Sequence, residues 1–296
     1  GQGENKVAIV SSAGNESQSM LAVAIGFEAV QNSQDTHAVA IGSSAGNDTQ
    51  GESAVAIGKF AGETTQGTDA VAIGSSAGNS IQGIEAVAIG SSAGNDTQGD
   101  YAVAIGPGSG AQSQNTNAIA IGSDAGNDDQ GTDAVAIGSS AGKTNQGANT
   151  VAIGSSAGIE NQGQGAIAIG GNLAGNEQGD YSIAIGHGAG YNENGAIGQF
   201  SIAMGYNAAY DYGSADNSII LNATGAVLDA DKTGLFIAPV DADTGDGDKI
   251  LKYNTSTKEI TYSDNVSYSD DLVVANTAVA ANTLKVGYTD DLVSAN

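Results

Sequence analysis

Apolar residues return along this chain in pairs split by one alanine: Val7-Ala8-Ile9, Val23-Ala24-Ile25, Val39-Ala40-Ile41, and onward to Ile183-Ala184-Ile185. Each triplet starts 16 residues after the one before, through twelve units without an insertion. Alternation at period two predicts a strand, with the starter and Ile on one face and Ala on the other. A fixed longer period predicts a solenoid, because one inserted residue would turn every later side chain to the wrong face. The expectation is an all-β chain of 16-residue coils in which the larger apolar residues face inward: Val39, Ile41, Val55, Ile57, Val71, Ile73, Val87 and Ile89 as its structural core.

Each unit repeats more than its triplet. Gly follows the triplet in eleven units, from Gly26 to Gly186, with Val10 the exception, and a residue without a Cβ suits a bend out of a strand. Eleven residues after each starter stands a glutamine, including Gln50, Gln66, Gln82, Gln98, Gln114, Gln130, Gln146 and Gln162; the twelfth unit has Asn194 there. Coils stacked at about 4.8 Å would bring these amides over one another as a hydrogen-bonded column, and would make a rod on the order of 58 Å long. Other solenoids fit less well. The period is not divisible by six, the calcium-binding motif G-G-x-G-x-D is absent, and no Thr-x-Thr rows recur at fixed offsets.

Composition narrows the function classes. Acids number 33 against 8 bases, for a formal charge of −25, so a nucleic acid would be repelled rather than gathered. Cysteine is absent, which leaves stability to hydrogen bonding and packing. No apolar run approaches the roughly 20 residues of a spanning helix, so no membrane insertion is expected of these residues. Repeats cut at both ends predict a native chain that continues past Gly1 and Asn296.

The units AVAIGSSAGNDTQG (38 to 51), AVAIGSSAGNSIQG (70 to 83) and AVAIGSSAGKTNQG (134 to 147) resemble the head repeats of trimeric autotransporter adhesins with a YadA-like head, which also occur in phage and viral fibres. The resemblance covers roughly residues 1 to 210. It implies a left-handed parallel β-roll packed as a homotrimer, at the cell surface or on a virion. The family's common period is shorter, so the insert around Gln66 to Asp69 should lengthen an outer turn.

Regularity breaks after Ile183, where the next such strand, IAMG at 202 to 205, comes nineteen residues on. Tyr181, Tyr191, Phe200, Tyr206, Tyr210 and Tyr212 gather here, as a cap over an open end or as a platform for sugar rings. The expected organisation is a β-roll with aromatic cap over 1–212, a small β module over 213–264 with a hairpin of Ile250 to Tyr253 and Glu259 to Tyr262, and a stalk over 265–296. GLFIAPV followed by ILKYNTSTKEITY resembles a module near the end of phage and viral fibre proteins, and NTAVAANTLKVG resembles fibre-stalk repeats. VSYSDDLVVAN and VGYTDDLVSAN repeat each other at a spacing of twenty, with Asp270 and Asp271 suited to a helix start near Ser269.

Catalytic chemistry is sparse. His37 and His187 stand about nine coils apart, and GSSAG lacks the Lys and the strand-to-helix setting of a phosphate loop. Asp241, Asp243, Asp246 and Asp248 are the one cluster suited to a hard cation such as calcium, but their spacing departs from an EF-hand loop, and a solvated acidic turn is the ordinary reading. No cofactor is expected otherwise. The leading expectation is a trimeric fibre rod, partnered by other fibre or virion components, that spaces or presents a receptor-binding part. The alternative is a bacterial adhesin that binds host matrix, with a host-surface glycan or protein as its ligand. An enzyme is disfavoured, because a glycan-cleaving groove needs paired carboxylates that the repeats do not offer.

Overall fold

The computed structural model of the chain describes residues 5–171, 174–191, 197–211, 214–239, 250–254, 256–257 and 260–263. The stalk at 265–296, the Asp241 to Asp248 cluster and Asn194 lie outside the described residues. Two compact units divide the chain at Pro239 and Val240.

The first unit is a parallel β-solenoid. The triplets form one sheet of 15 strands, from Val7–Ile9 to Leu235–Ala238, and the glutamine segments form a second sheet of 10 strands, from Ser17–Gln18 to Glu160–Gln162. Among the described residues no segment is helical. Each residue pairs with its counterpart one coil on: Val39 with Val55, Ala40 with Ala56, Ile41 with Ile57, and Gln50 with Gln66. The fold class expected from the period is the one observed.

The facing within each coil is the reverse of the expectation. Ala40, Ala56, Ala72 and Ala88 are fully buried, while Ile41, Ile57, Ile73 and Ile89 are each 36% exposed and Val39, Val55, Val71 and Val87 are half-buried. The cause is the width of the coil. A Cβ placed on Gly46, across the interior, would sit 3.3 Å from the Ala40 Cβ and 2.9 Å from Gln50 Oε1. Sixteen residues close into a ring whose inside holds only methyl groups and a flat amide, so the branched side chains go out.

Coils approach each other closely at the bend after each triplet. Gly74 has φ +131, and a Cβ there would lie 2.5 Å from the Gly90 carbonyl oxygen, so both backbone conformation and space demand glycine. The column ends at Gly205, which faces Asn222.

The solenoid does not stop at residue 212. Ile202–Gly205, Ile219–Asn222 and Leu235–Ala238 extend the same parallel sheet at spacings that run 19, 17 and 16 residues from Ile183. The segment read as the start of a separate module thus supplies two further coils. The second unit contains an antiparallel hairpin, Ile250–Tyr253 with Ile260–Ser263, its second strand one residue later than the pattern indicated.

Candidate functional site

The interior column is built from glutamine. Gln50 Nε2 lies 2.9 Å from the carbonyl of Val39 in its own coil, 3.3 Å from that of Ala54, and 3.0 Å from Oε1 of Gln66 in the next coil. One amide thereby ties the two sheets of a coil together and each coil to its neighbour. A buried amide is costly unless its donors and acceptors are met, and this arrangement meets them at nearly every level. The ladder runs from Gln34 through Gln130, and again from Gln146 through Gln178.

Its break falls where Thr150 takes the place that Ala54, Ala70 and Ala134 hold in other coils. Thr150 is fully buried and turns its hydroxyl to the Gly147 carbonyl, Gln146 Nε2 is stretched to 3.4 Å from Val135, and Gln146 Oε1 is left without a partner. Past Gln178 the column changes character. Ile197, fully buried, bridges to Gln178 in the place where Asn194 was expected, and Ser214 follows it.

The outer surface carries three features. Val and Ile form an apolar stripe along the whole triplet sheet, still exposed at Ile121, Ile137 and Ile153 and continued by Met204, Leu235 and Ile237. Flanking it, Tyr181 and Phe200 stack with ring centroids 5.6 Å apart and planes within 7°, and His187 stacks on Tyr206 at 5.5 Å. These pairs lie on the sides of coils inside the roll, with two further strands beyond, so they do not cap an end. Each pair also turns ring faces toward each other, which removes those faces from a sugar platform.

The third feature is a shallow furrow of 640 Å³ along the glutamine sheet, floored by Gly131, Gly147 and Gly163 and walled by Asp129, Asn145 and Asn161. Asp129, Asn145 and Asn161 have φ of 49°, 53° and 48°, whereas the matching places in earlier coils hold Thr49, Thr65, Ile81 and Thr97, whose branched side chains disfavour that conformation. Asn145 Nδ2 donates to Asn161 Oδ1 at 3.0 Å, so the wall is a short external amide ladder. Asp129 is the one carboxylate lining it, without the second acid that a glycan-cleaving pair requires. Among the described residues no group of three His, Cys, Asp or Glu side chains is placed to hold a metal.

One family model matches part of the roll. The YadA head domain repeat matches residues 98–125 in two copies, spanning the coil of Val103–Ile105 and the start of the next. Residues 98–125 of the chain are thus similar to the YadA head repeat. No curated protein matches the chain, and no solved structure does. YadA-type heads belong to a structural and adhesive family of surface-exposed proteins that typically form homotrimers. The matched coils share their pairing register with the coils on either side. No helix among the described residues is long and apolar enough to cross a membrane.

Proposed function

We propose that this chain is the rod of a homotrimeric fibre, in which three rolls pack their Val/Ile stripes together about a common axis and hold a terminal part away from the particle that bears them. The observation that carries the reading is the facing of the triplet. Each regular coil is already filled by Ala and Gln, yet it also sets two branched apolar side chains on its outside, in a line that Met204, Leu235 and Ile237 continue. A monomer has no use for such a line, since isolated apolar residues are ordinary on a surface but a contiguous stripe marks an interface. Burying a fully exposed Val or Ile contributes about 1.5–3 kcal/mol; these side chains are already partly covered, so closing the stripe adds a fraction of that at each, repeated along the coils. The test is the native mass of the full chain: three times 28.9 kDa supports the rod, and a stable monomer refutes it.

A virion fibre is favoured by the distal segments, whose GLFIAPV and ILKYNTSTKEITY resemble a module of phage and viral fibres. The second reading, a bacterial adhesin whose roll itself binds host surfaces, is favoured by the YadA head match. Antibody raised to the full chain separates them: label on virions supports the first, label on bacterial cells supports the second.

A further inference from the structure

Two columns of exposed side chains run alongside the Val/Ile stripe, one two residues before each starter and one four residues after it. Most coils fill both with small or polar residues, as in Asp69 with Ser75, Glu85 with Ser91, and Asp133 with Ser139. Larger apolar or aromatic residues occur in both columns of the same coil: Leu21 with Phe27, and Tyr101 with Pro107. The stacked levels repeat this, with Tyr181 accompanied by His187 and Phe200 by Tyr206. His37, opposite Ser43, and Pro239, opposite Thr233, are the rings in these columns without such a companion.

The members of each set stand on opposite sides of a strand that projects its own side chains between them, and all are exposed. Stacking between coils accounts for neighbours within one column, as in Tyr181 on Phe200. It does not account for a match across the strand. A rotation axis parallel to the roll does, because it brings one flank of a copy against the opposite flank of the next at the same height.

Resting on the trimeric reading above, we propose that the flanking columns of neighbouring copies meet coil for coil, so that Leu21 packs on Phe27, Tyr101 on Pro107, and the Tyr181/Phe200 stack on the His187/Tyr206 stack of the adjacent chain. These levels act as latches that fix the axial register of three otherwise repetitive rods. Without them a slip by one coil would restore nearly every stripe contact, since the stripe repeats with the coil.

The chain has no cysteine, which makes thiol cross-linking clean. Tyr101→Cys with Pro107→Cys, treated with a short bismaleimide, is expected to give a covalent species of three chains on a denaturing gel. Tyr101→Cys with Ser155→Cys, displaced three coils or about 14 Å along the axis, is expected to remain single chains. Equal linking by both pairs, linking only by the displaced pair, or a native trimer that neither pair links would overturn the latch. Tyr101→Cys alone, still trimeric by native mass, is expected to stay unlinked; covalent dimers from it would mean like flanks meet and would also overturn it. A monomeric native mass of the unaltered chain would instead remove the trimer itself, so the two failures read differently.

Discussion

Glutamine at the centre of a β-roll does work that an apolar residue cannot. Gln82 Nε2 sits 2.9 Å from the Val71 carbonyl and 3.1 Å from Gln98 Oε1, while its own Oε1 accepts from Gln66. Gln82→Leu keeps similar bulk but takes the donor from Gln98 Oε1 and one of three acceptors from Gln66 Nε2, so we expect a loss of about 1–3 kcal/mol, seen as a lower thermal midpoint by circular dichroism with the strand signal intact below it. Glycine is demanded just as locally. Gly74→Ala combines a positive φ with a Cβ 2.5 Å from the Gly90 carbonyl, and we expect it to destabilise the roll by more than the roughly 1–3 kcal/mol of backbone strain alone. Gly225→Ala, where nothing lies within 4 Å of the new Cβ, is the comparison and should leave the midpoint unchanged to within about 0.5 kcal/mol.

At the scale of the strand, the triplet has two apolar faces with different duties. Ala88 is sealed inside its coil and Ile89 is on the stripe. Ala88→Asp places a carboxylate where only methyl groups and amides fit, so the coil itself should fail, with protection from hydrogen exchange lost around it. Ile89→Asp should leave the coil folded and weaken the trimer, read as a lower native mass, while Asp96→Asn on the outer turn should change neither. If Ile89→Asp unfolds the isolated chain as Ala88→Asp does, the assigned facing is wrong. Strand positions were legible in the sequence because period two and period 16 are both visible in Val-Ala-Ile. The facing was not, since hydrophobicity ranks Val and Ile above Ala, and alternation at period two marks two faces without saying which one closes the coil. The glutamine column was legible from its spacing. Its reach across the interior to Val and Ala carbonyls was hidden, because those acceptors stand eleven and four residues away, one in the opposite sheet and one just before its next strand. The final coils escaped notice because their spacing stretches and glutamine gives way to Ile197 and Ser214 just where the repeat would be sought.

Along the roll, strand pairing joins residues one coil apart, and the same backbone register recurs from coil to coil. Removing one complete unit, residues 54–69, is therefore expected to give a folded chain, shorter by one coil, with a strand spectrum and cooperative melting like the parent. Removing 54–68 shifts the register by one residue and puts Val and Ile where Ala belongs; that chain should show neither. Equal behaviour of the two deletions would refute the stacked register. The first coils also bear on how such a chain comes to exist. Within the regular roll the side-chain hydrogen bonds span at most 19 residues, as from Asn95 to Ser76. Loop closure at that separation is fast and its entropic cost is small, so every coil can dock on the one before it as soon as it emerges. The repeat makes folding directional: a growing or exported chain needs no distant partner segment before its first coils are in place.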